Sequence, residues 1–142
     1  MTVVLDDHLL RDWLARRDNA LAAAVNDERV ATTNLWYVRL CKSAARAQGR
    51  ALLAGWGPNE RRALIAGLVA LPDDIVVLPM RQLAWTMAEL AADQSGLSTL
   101  GAEAVAAALE LEARVLVSAR DDGPGVRQCC FTLGVTYEAL PR

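Results

Sequence analysis

The chain has 142 residues, 15 Lys and Arg against 17 Asp and Glu, and a formal charge of −2. Its 54% hydrophobic content excludes a disordered polymer, and the near balance of charges gives no field that collects nucleic acid on its own. Asp6 and Asp7 interrupt the first apolar run before it resembles a secretion signal, and no apolar stretch reaches the roughly 20 residues that span a bilayer. We expect one cytoplasmic domain over residues 1–142, with no membrane contact.

The cysteines favour the same compartment. Cys41, Cys129 and Cys130 are odd in number and form no CxxC pair or zinc-ligand set. Adjacent cysteines on a helix point about 100° apart and rarely form a disulfide. We therefore expect Cys129 and Cys130 to be reduced residues of the core.

The first third of the chain alternates between strand and helix patterns. Residues 3–5 form a β-type run, residues 9–14 carry a helical stripe, residues 19–29 read as a connection, and residues 30–32 as a second strand. Thr33 is placed to cap the next helix. Its predicted buried stripe is Leu35, Val38, Cys41 and Ala45. Its other stripe carries Arg39, Lys42 and Arg46.

The rest of the chain continues the alternation. Residues 49–57 are a glycine-rich loop, and Pro58 opens a helix that we expect to bury Leu64, Ile65, Leu68 and Val69. Residues 75–78 form a continuous apolar strand that is typical of a strand covered on both faces. A helix to residue 93, an alanine-rich helix over 101–112, a strand over 114–118, a turn over 121–125, a further helix and a strand over 135–137 follow.

Buried strands that alternate with amphipathic helices predict an α/β fold of three layers, with a mainly parallel sheet between helices. In such sheets ligands bind beyond the carboxyl ends of the strands, where the strand order reverses. The candidate site residues are therefore those that directly follow strands, among them Asp6, Asp7 and residues 118–122.

The layout resembles the PIN domain family, which includes VapC-type toxin ribonucleases. The opening strand ends in Leu5-Asp6, as the first strand of that family ends in Leu-Asp. The alanine-rich helix, the strand that ends at Ser118 and the closing Gly134-Val135 follow the family's order. The resemblance covers nearly the whole chain and implies a PIN-like α/β/α domain.

The resemblance also implies four acidic residues that hold Mg²⁺ or Mn²⁺ and activate water to cut RNA, because hard divalent ions prefer oxygen ligands. Position by position, the first acid falls on Asp6. The other three fall on Arg39, Gly101 and Arg120, so three of the four acids are replaced. We therefore expect no cofactor and no metal, and Asp6 is the residue that would hold a metal if one bound.

Three interpretations of this altered site remain open. In the first interpretation, Arg39 and Arg120 form ion pairs with Asp6 or Asp7. In the second, these arginines form an anion pocket for RNA or phosphate together with Lys42 and Arg46. The third interpretation is a hydrolase with relocated acids.

A relocated site would use Asp6, Asp7, Asp121 and Asp122 as catalytic residues with Mg²⁺ or Mn²⁺. Residues 121–124 also read as an ordinary turn and helix start. Glu103, two positions past Gly101, should point away from the pocket because two helical positions rotate a side chain by about 200°. A lone His8 in the first turn of a helix is typical of a capping or surface residue.

The expected exposure of the tryptophans indicates which class of partner the protein binds. We expect Trp13 and Trp85 in the core, and Trp36, Tyr37 and Trp56 partly exposed. Aromatic and arginine side chains together favour a protein interface over stacked RNA bases at this net charge. The family resemblance implies a homodimer or an antitoxin-like protein partner.

The predicted function is that of a non-catalytic PIN-like binding or interaction module with a degenerate active site, for which RNA contact remains open. The alternative is a metal-dependent ribonuclease of the VapC toxin type, from a toxin–antitoxin pair. Whether the chain is an enzyme stays undecided at this point, with the replaced acids favouring the non-catalytic interpretation.

Overall fold

The computed structural model describes residues 1–46 and 51–141, so Gly49 and Arg50 of the predicted loop lie outside the described residues. Its five-stranded sheet has only parallel strand pairs, in the order β3-β2-β1-β4-β5. The strands are β1 (Thr2–Leu5), β2 (Arg29–Thr32), β3 (Val76–Val77), β4 (Arg114–Ser118) and β5 (Tyr137–Leu140). The predicted three-layer α/β class is confirmed.

The described residues also form seven α-helices. They are α1 (Asp7–Ala15), α2 (Asn19–Val25), α3 (Asn34–Ala45), α4 (Pro58–Val69), α5 (Met80–Asp93), α6 (Thr99–Leu111) and α7 (Pro124–Leu133). In one layer α1 contacts α2, α3 and α4, and α3 contacts α4; in the other layer α6 contacts both α5 and α7. None of these helices combines the length and apolar character that a membrane crossing requires.

The sheet core follows from the alternation of side chains along the central strands. Val4 and Val115 belong to the apolar cluster under α5–α7, whereas Val3 and Leu116 belong to the cluster under α1, α3 and α4. All four side chains are fully buried. Both faces of β1 and β4 are therefore covered, and these strands hold the residues that follow them in fixed positions.

Three predicted boundaries are corrected. The expected connection over 19–29 is mostly α2, since alanine favours helix and the Asp18 carboxylate accepts a hydrogen bond from the Leu21 N–H at 3.0 Å. The strand expected over 75–78 has only two residues, which are half-buried because β3 lies at the edge of the sheet. The last strand begins at Tyr137, not at Val135. The Val135 N–H donates a hydrogen bond to the Cys130 carbonyl at 2.8 Å, so this residue still belongs to the end of α7.

The buried stripes of two helices also differ from prediction. In α3 the predicted stripe is wrong, since Val38 is 52% exposed and the buried residues are Trp36, Leu40 and Ala44. Apolar residues occur on two adjacent stripes of α3, so spacing alone does not decide which faces the core. In α4, Leu64 and Leu68 are buried as predicted, but Ile65 and Val69 are exposed.

Two tryptophans have a burial opposite to the one expected. Trp36, expected to be partly exposed, is buried at 2% exposure, and Trp85, expected in the core, is 77% exposed. Trp13 and Trp56 are half-buried against the cluster under α1, α3 and α4. Cys129 and Cys130 are fully buried with free thiols, as predicted.

Candidate functional site

The strand order reverses between β1 and β4, which are paired in register from Val3 opposite Arg114 to Leu5 opposite Leu116. The crevice beyond their carboxyl ends is the place where parallel sheets bind ligands. Asp6 and Asp7 enter it after β1, and a short 3₁₀ turn over Ala119–Asp121 enters it after β4. The sequence correctly places these carboxylates at one edge of the sheet.

Asp6 is fully buried and holds the two strand ends together. One of its carboxylate oxygens accepts a hydrogen bond from the Leu9 N–H at 2.8 Å, which caps α1. The other accepts from the Ser118 N–H at 2.8 Å, across from the end of β4. At the position to which the PIN resemblance assigns the first acid, Asp6 is therefore a buried acceptor at both oxygens.

Asp7 is fully buried and is bound by the guanidinium group of Arg39 from α3. The Arg39 Nε donates to Asp7 Oδ2, and its Nη2 donates to Asp7 Oδ1 at 2.9 Å. The same Nη2 donates to Oδ2 of Asp121 on the turn after β4. One cation thus bridges the carboxylates that follow β1 and β4.

His8 completes the cluster. Its Nδ1 lies 3.2 Å from Asp7 Oδ1, and its side chain is 15% exposed. One potential ligand atom from each of Asp6, Asp7, His8 and Asp121 lies within 4.8 Å of the others. Carboxylate oxygens with an imidazole form a donor set that suits Mn²⁺ and related divalent ions. With Arg39 in its present position, however, two of these carboxylates already have a cationic partner.

The acids of this cluster differ in protonation. Burial raises the pKa of Asp6 to about 7, opposed by the N–H groups of Leu9 and Ser118, and the charges of Asp7 and Asp121 raise it further. Burial also acts to raise the pKa of Asp7, but hydrogen bonds from His8 and Arg39 outweigh it and lower that pKa. The hydrogen bond to Asp7 raises the pKa of Arg39, so this side chain stays charged.

Asp122, a candidate of the relocated site, is directed away from the crevice. Its carboxylate accepts hydrogen bonds from Arg127 at 2.7 Å and from the Tyr137 hydroxyl at 2.9 Å. These partners belong to α7 and β5. Of the four candidate catalytic acids, the structure therefore brings Asp6, Asp7 and Asp121 together and leaves Asp122 out.

The arginine at the fourth family position does not form the expected ion pair. Arg120 is exposed, and its side chain has no hydrogen bond or ion pair within residues 1–46 and 51–141. Its backbone N–H donates to the Ser118 hydroxyl at 3.2 Å, which turns the side chain toward solvent. Of Arg39 and Arg120, it is Arg39 that pairs with acids of the crevice, and these acids are Asp7 and Asp121.

Gly101, to which the PIN resemblance assigns the third acid, is closely packed by neighbouring side chains. A Cβ at Gly101 would lie 2.7 Å from Cγ2 of Val126 and 3.0 Å from Cδ1 of Leu97. Both distances are shorter than ordinary van der Waals contact, so the first turn of α6 packs closely against α7. At the position to which the PIN resemblance assigns the third acid, this chain has a packing contact instead.

Glu103 has a role that the sequence did not predict. It is fully buried, and its carboxylate accepts hydrogen bonds at 2.7–2.9 Å from the Asn34 N–H, the Asn34 side-chain amide and the Leu35 N–H. Glu103 therefore satisfies the first turn of α3, the helix that presents Arg39. The sequence does contain one signal for this buried cap, which is a single acidic residue within an otherwise apolar stretch of helix.

The remaining anion-pocket candidates lie further along α3. Lys42 and Arg46 are exposed, and Arg46 lies about 10 Å along the helix axis from Arg39 at 1.5 Å per residue. Arg39 itself is bonded to two carboxylates. The geometry therefore gives these cations no common pocket centred on Arg39.

No family model and no curated protein matches this chain. The resemblance to the PIN domain thus remains a resemblance of short motifs and fold class. The residues of the crevice are the basis on which a function is proposed.

Proposed function

We propose that this protein is a non-catalytic PIN-like binding module in which Arg39 takes the place of a metal ion between the acids of the crevice. The observation that carries the proposal is the bridge from one guanidinium group to both Asp7 and Asp121. A divalent ion in the related enzymes would draw on such oxygens from the ends of neighbouring strands.

The positive charge of Arg39 opposes the binding of a divalent ion in the crevice. A unit positive charge at about 4 Å repels another by about 4 kcal/mol at an effective dielectric of 20, and a divalent ion doubles that repulsion. Asp6, with a pKa of about 7, carries only part of its negative charge at neutral pH. The cluster therefore offers a divalent ion less negative charge than its number of carboxylates suggests.

The proposed partner is a protein. Large apolar side chains lie on the described surface, among them Trp85 at 77% and Phe131 at 80% exposure. Exposed aromatic residues of this kind mark protein interfaces more often than nucleic-acid sites on a slightly acidic chain. The proposal includes a cytoplasmic location, which the free thiols of Cys41, Cys129 and Cys130 fit.

An RNA cleavage assay with Mn²⁺ or Mg²⁺ tests the proposal. We expect the wild-type protein and Asp6→Ala to leave RNA equally intact over hours, at a rate equal to a protein-free control. Circular dichroism verifies that the Asp6→Ala protein is folded, because the substitution removes the cap of α1. Cleavage by the wild type that is lost in Asp6→Ala contradicts the proposal.

A metal-dependent ribonuclease is the second candidate, and one observation favours it. The ligand atoms of Asp6, Asp7, His8 and Asp121 converge within 4.8 Å, so release of Arg39 from Asp7 would expose a four-ligand site. This candidate predicts cleavage that requires metal and that falls in Asp121→Asn as well as in Asp6→Ala. Asp122→Asn is its matched control, since Asp122 is bonded to Arg127 and Tyr137 outside the crevice.

A further inference from the structure

A cleft of about 520 Å³ lies toward the amino ends of the strands, away from the crevice. Its walls are the second half of α1, the start of α2, the last turn of α4 and the residues between α4 and β3. Trp13, which lines the cleft, lies six residues past Asp7, about 9 Å along the axis of α1. Small-molecule sites have volumes of roughly 300–1,000 Å³, and this cleft is within that range.

Gly67 widens the cleft from the side of α4. Glycine inside a helix is less favourable than alanine, because glycine loses more backbone freedom on folding. A Cβ at Gly67 would nevertheless have no packing neighbour within 4 Å among the described residues. The packing of the fold therefore does not require glycine here, and the small residue leaves room for a molecule to approach the backbone of α4.

The inner wall of the cleft is apolar. Leu21 and Ile75 are buried, and Trp13 is half-buried and packs against the same apolar cluster under α1, α3 and α4. Burial of an apolar molecule against this wall is favourable. The ring face of a tryptophan also attracts a cation.

The rim of the cleft carries more acids than bases. Asp12, Asp18 and Asp74 line it together with Arg16. The Asp12 carboxylate is paired with Arg11 at 2.8 Å, but Asp74 is exposed and forms no hydrogen bond or ion pair with the residues that the structure describes. The Asp18 carboxylate accepts the hydrogen bond that caps α2, and a carboxylate can accept several. The rim therefore favours a ligand with a positive charge.

The arginines nearest to the cleft in the chain are directed elsewhere. Arg11 also donates to the Leu52 carbonyl, and its guanidinium group lies 5.7 Å from the ring centroid of Trp56. Arg17 lies 4.5 Å from the same centroid and pairs with Glu60 at 2.8 Å. Neither arginine lines the cleft. The negative charge of the rim is therefore opposed by Arg16 alone among the lining residues.

From the apolar wall and the acidic rim of this cleft, we propose that it binds a small organic amine. The ammonium group pairs with the carboxylates of Asp18 and Asp74, and the apolar body packs against Trp13 beside Gly67. Two acids against one arginine favour an amine over a carboxylate of the same shape. This ligand site goes beyond the function proposed for the crevice and does not depend on it.

Isothermal titration calorimetry with three matched probes tests the class of ligand. Phenethylamine, phenylalanine and 3-phenylpropionate share a phenyl group on a short carbon chain, but at pH 7 they are a cation, a zwitterion and an anion. We expect one phenethylamine to bind per chain with a dissociation constant of about 1 mM or lower, and the other two to bind at least about tenfold more weakly. No binding of phenethylamine, or equal or tighter binding of either other probe, overturns the proposal.

A larger side chain at Gly67 tests the location of the site. Gly67→Leu fills part of the cleft, and leucine favours helix, so we expect a folded protein whose affinity for phenethylamine is at least about thirtyfold lower. Ala66→Leu is the matched control, because Ala66 is exposed on the same helix and does not line the cleft. Circular dichroism verifies that both variants are folded. Wild-type affinity in Gly67→Leu, or an equal loss in Ala66→Leu, places the binding elsewhere and overturns the proposal.

Removal of single charges tests the acidic rim. We expect Asp18→Asn and Asp74→Asn each to lower the affinity for phenethylamine by about fivefold. Asparagine caps a helix as well as aspartate does, so Asp18→Asn keeps the start of α2. Asp73→Asn is the matched control, since Asp73 is exposed and lies outside the lining, and it should change the affinity by less than about twofold. Unchanged affinity in both Asp18→Asn and Asp74→Asn is incompatible with the proposed ligand.

Discussion

Asp6 and Asp7 are neighbours in the chain and are both fully buried, yet their pKa values move in opposite directions. Burial raises the pKa of Asp6 to about 7, and the N–H groups of Leu9 and Ser118 offset only part of this effect. At Asp7, hydrogen bonds from His8 and Arg39 outweigh the effect of burial. Burial thus leaves Asp6 only partly ionised near pH 7, whereas His8 and Arg39 keep Asp7 ionised.

The first prediction concerns the titration of Asp6. We expect its carboxyl carbon to titrate near pH 7 in a ¹³C NMR experiment. Asp121→Asn should lower this midpoint, because it removes a negative charge that raises the pKa of Asp6. The folded state keeps a proton that the unfolded chain loses near its ordinary pKa of 3.8, so this group's contribution to stability should fall as pH rises from about 4 to about 7. A midpoint below pH 5 contradicts this description of Asp6.

The second prediction concerns the removal of the bridge. Arg39→Met keeps much of the aliphatic volume but leaves Asp7 and Asp121 without their cation. We expect the free energy of unfolding in urea to fall by about 1–3 kcal/mol at pH 7, less than for a fully buried pair because Arg39 is 39% exposed. Lys42→Met, on the exposed side of α3, is the control and should change it by less than about 0.5 kcal/mol. Equal stability of the two variants would show that the bridge is not important.

The third prediction concerns the cap of α3. Glu103→Gln replaces one acceptor oxygen with an amide nitrogen, which cannot accept a hydrogen bond from the N–H group of Asn34 or Leu35. We expect a loss of about 2–3 kcal/mol in unfolding free energy, because a buried donor is left unpaired and a charged acceptor is lost. Thermal denaturation measures this loss against Glu110→Gln, an exposed position of the same helix. A loss no larger than that of the control rules out the capping role.

The fourth prediction concerns Gly101. A methyl group at this position would meet Val126 at 2.7 Å, so Gly101→Ala should destabilise the fold by about 1–3 kcal/mol, although alanine favours helix formation. The double variant Gly101→Ala/Val126→Ala should recover part of the loss, since it removes the contacting methyl groups. Calorimetric melting of the single and double variants measures both effects. An increase in the melting temperature of Gly101→Ala would contradict the close packing of α6 on α7.

The sequence predicted the parts of the fold that depend on local pattern. The buried run of residues 3–5 and the cap at Thr33 are local signals, and both are confirmed. The boundaries of β3 and β5 were wrong, because edge position and the closing contacts of a helix end are set by tertiary structure. Trp85 was assigned to the core because a helical spacing does not reveal on which side the neighbouring helix lies.

At the crevice, sequence order indicated which residues meet but not which of them form bonds. The carboxyl ends of β1 and β4 bring Asp6, Asp7 and Asp121 together, as parallel topology requires. The exposure of Arg120 goes with the 3₁₀ turn after Ser118, which no motif encodes. The partner of Glu103 lies on another helix, 69 residues away from it in the chain.

Isothermal titration calorimetry with Mn²⁺ tests the central claim that the guanidinium group of Arg39 takes the place of a metal ion. We expect no saturable binding to the wild type, and binding of one Mn²⁺ to Arg39→Glu, in which an acid replaces the cation beside Asp7 and Asp121. Lys42→Glu makes the same charge change on the exposed side of α3 and should behave like the wild type. Saturable binding of one Mn²⁺ to the wild-type protein, lost in Asp6→Ala, would contradict the claim.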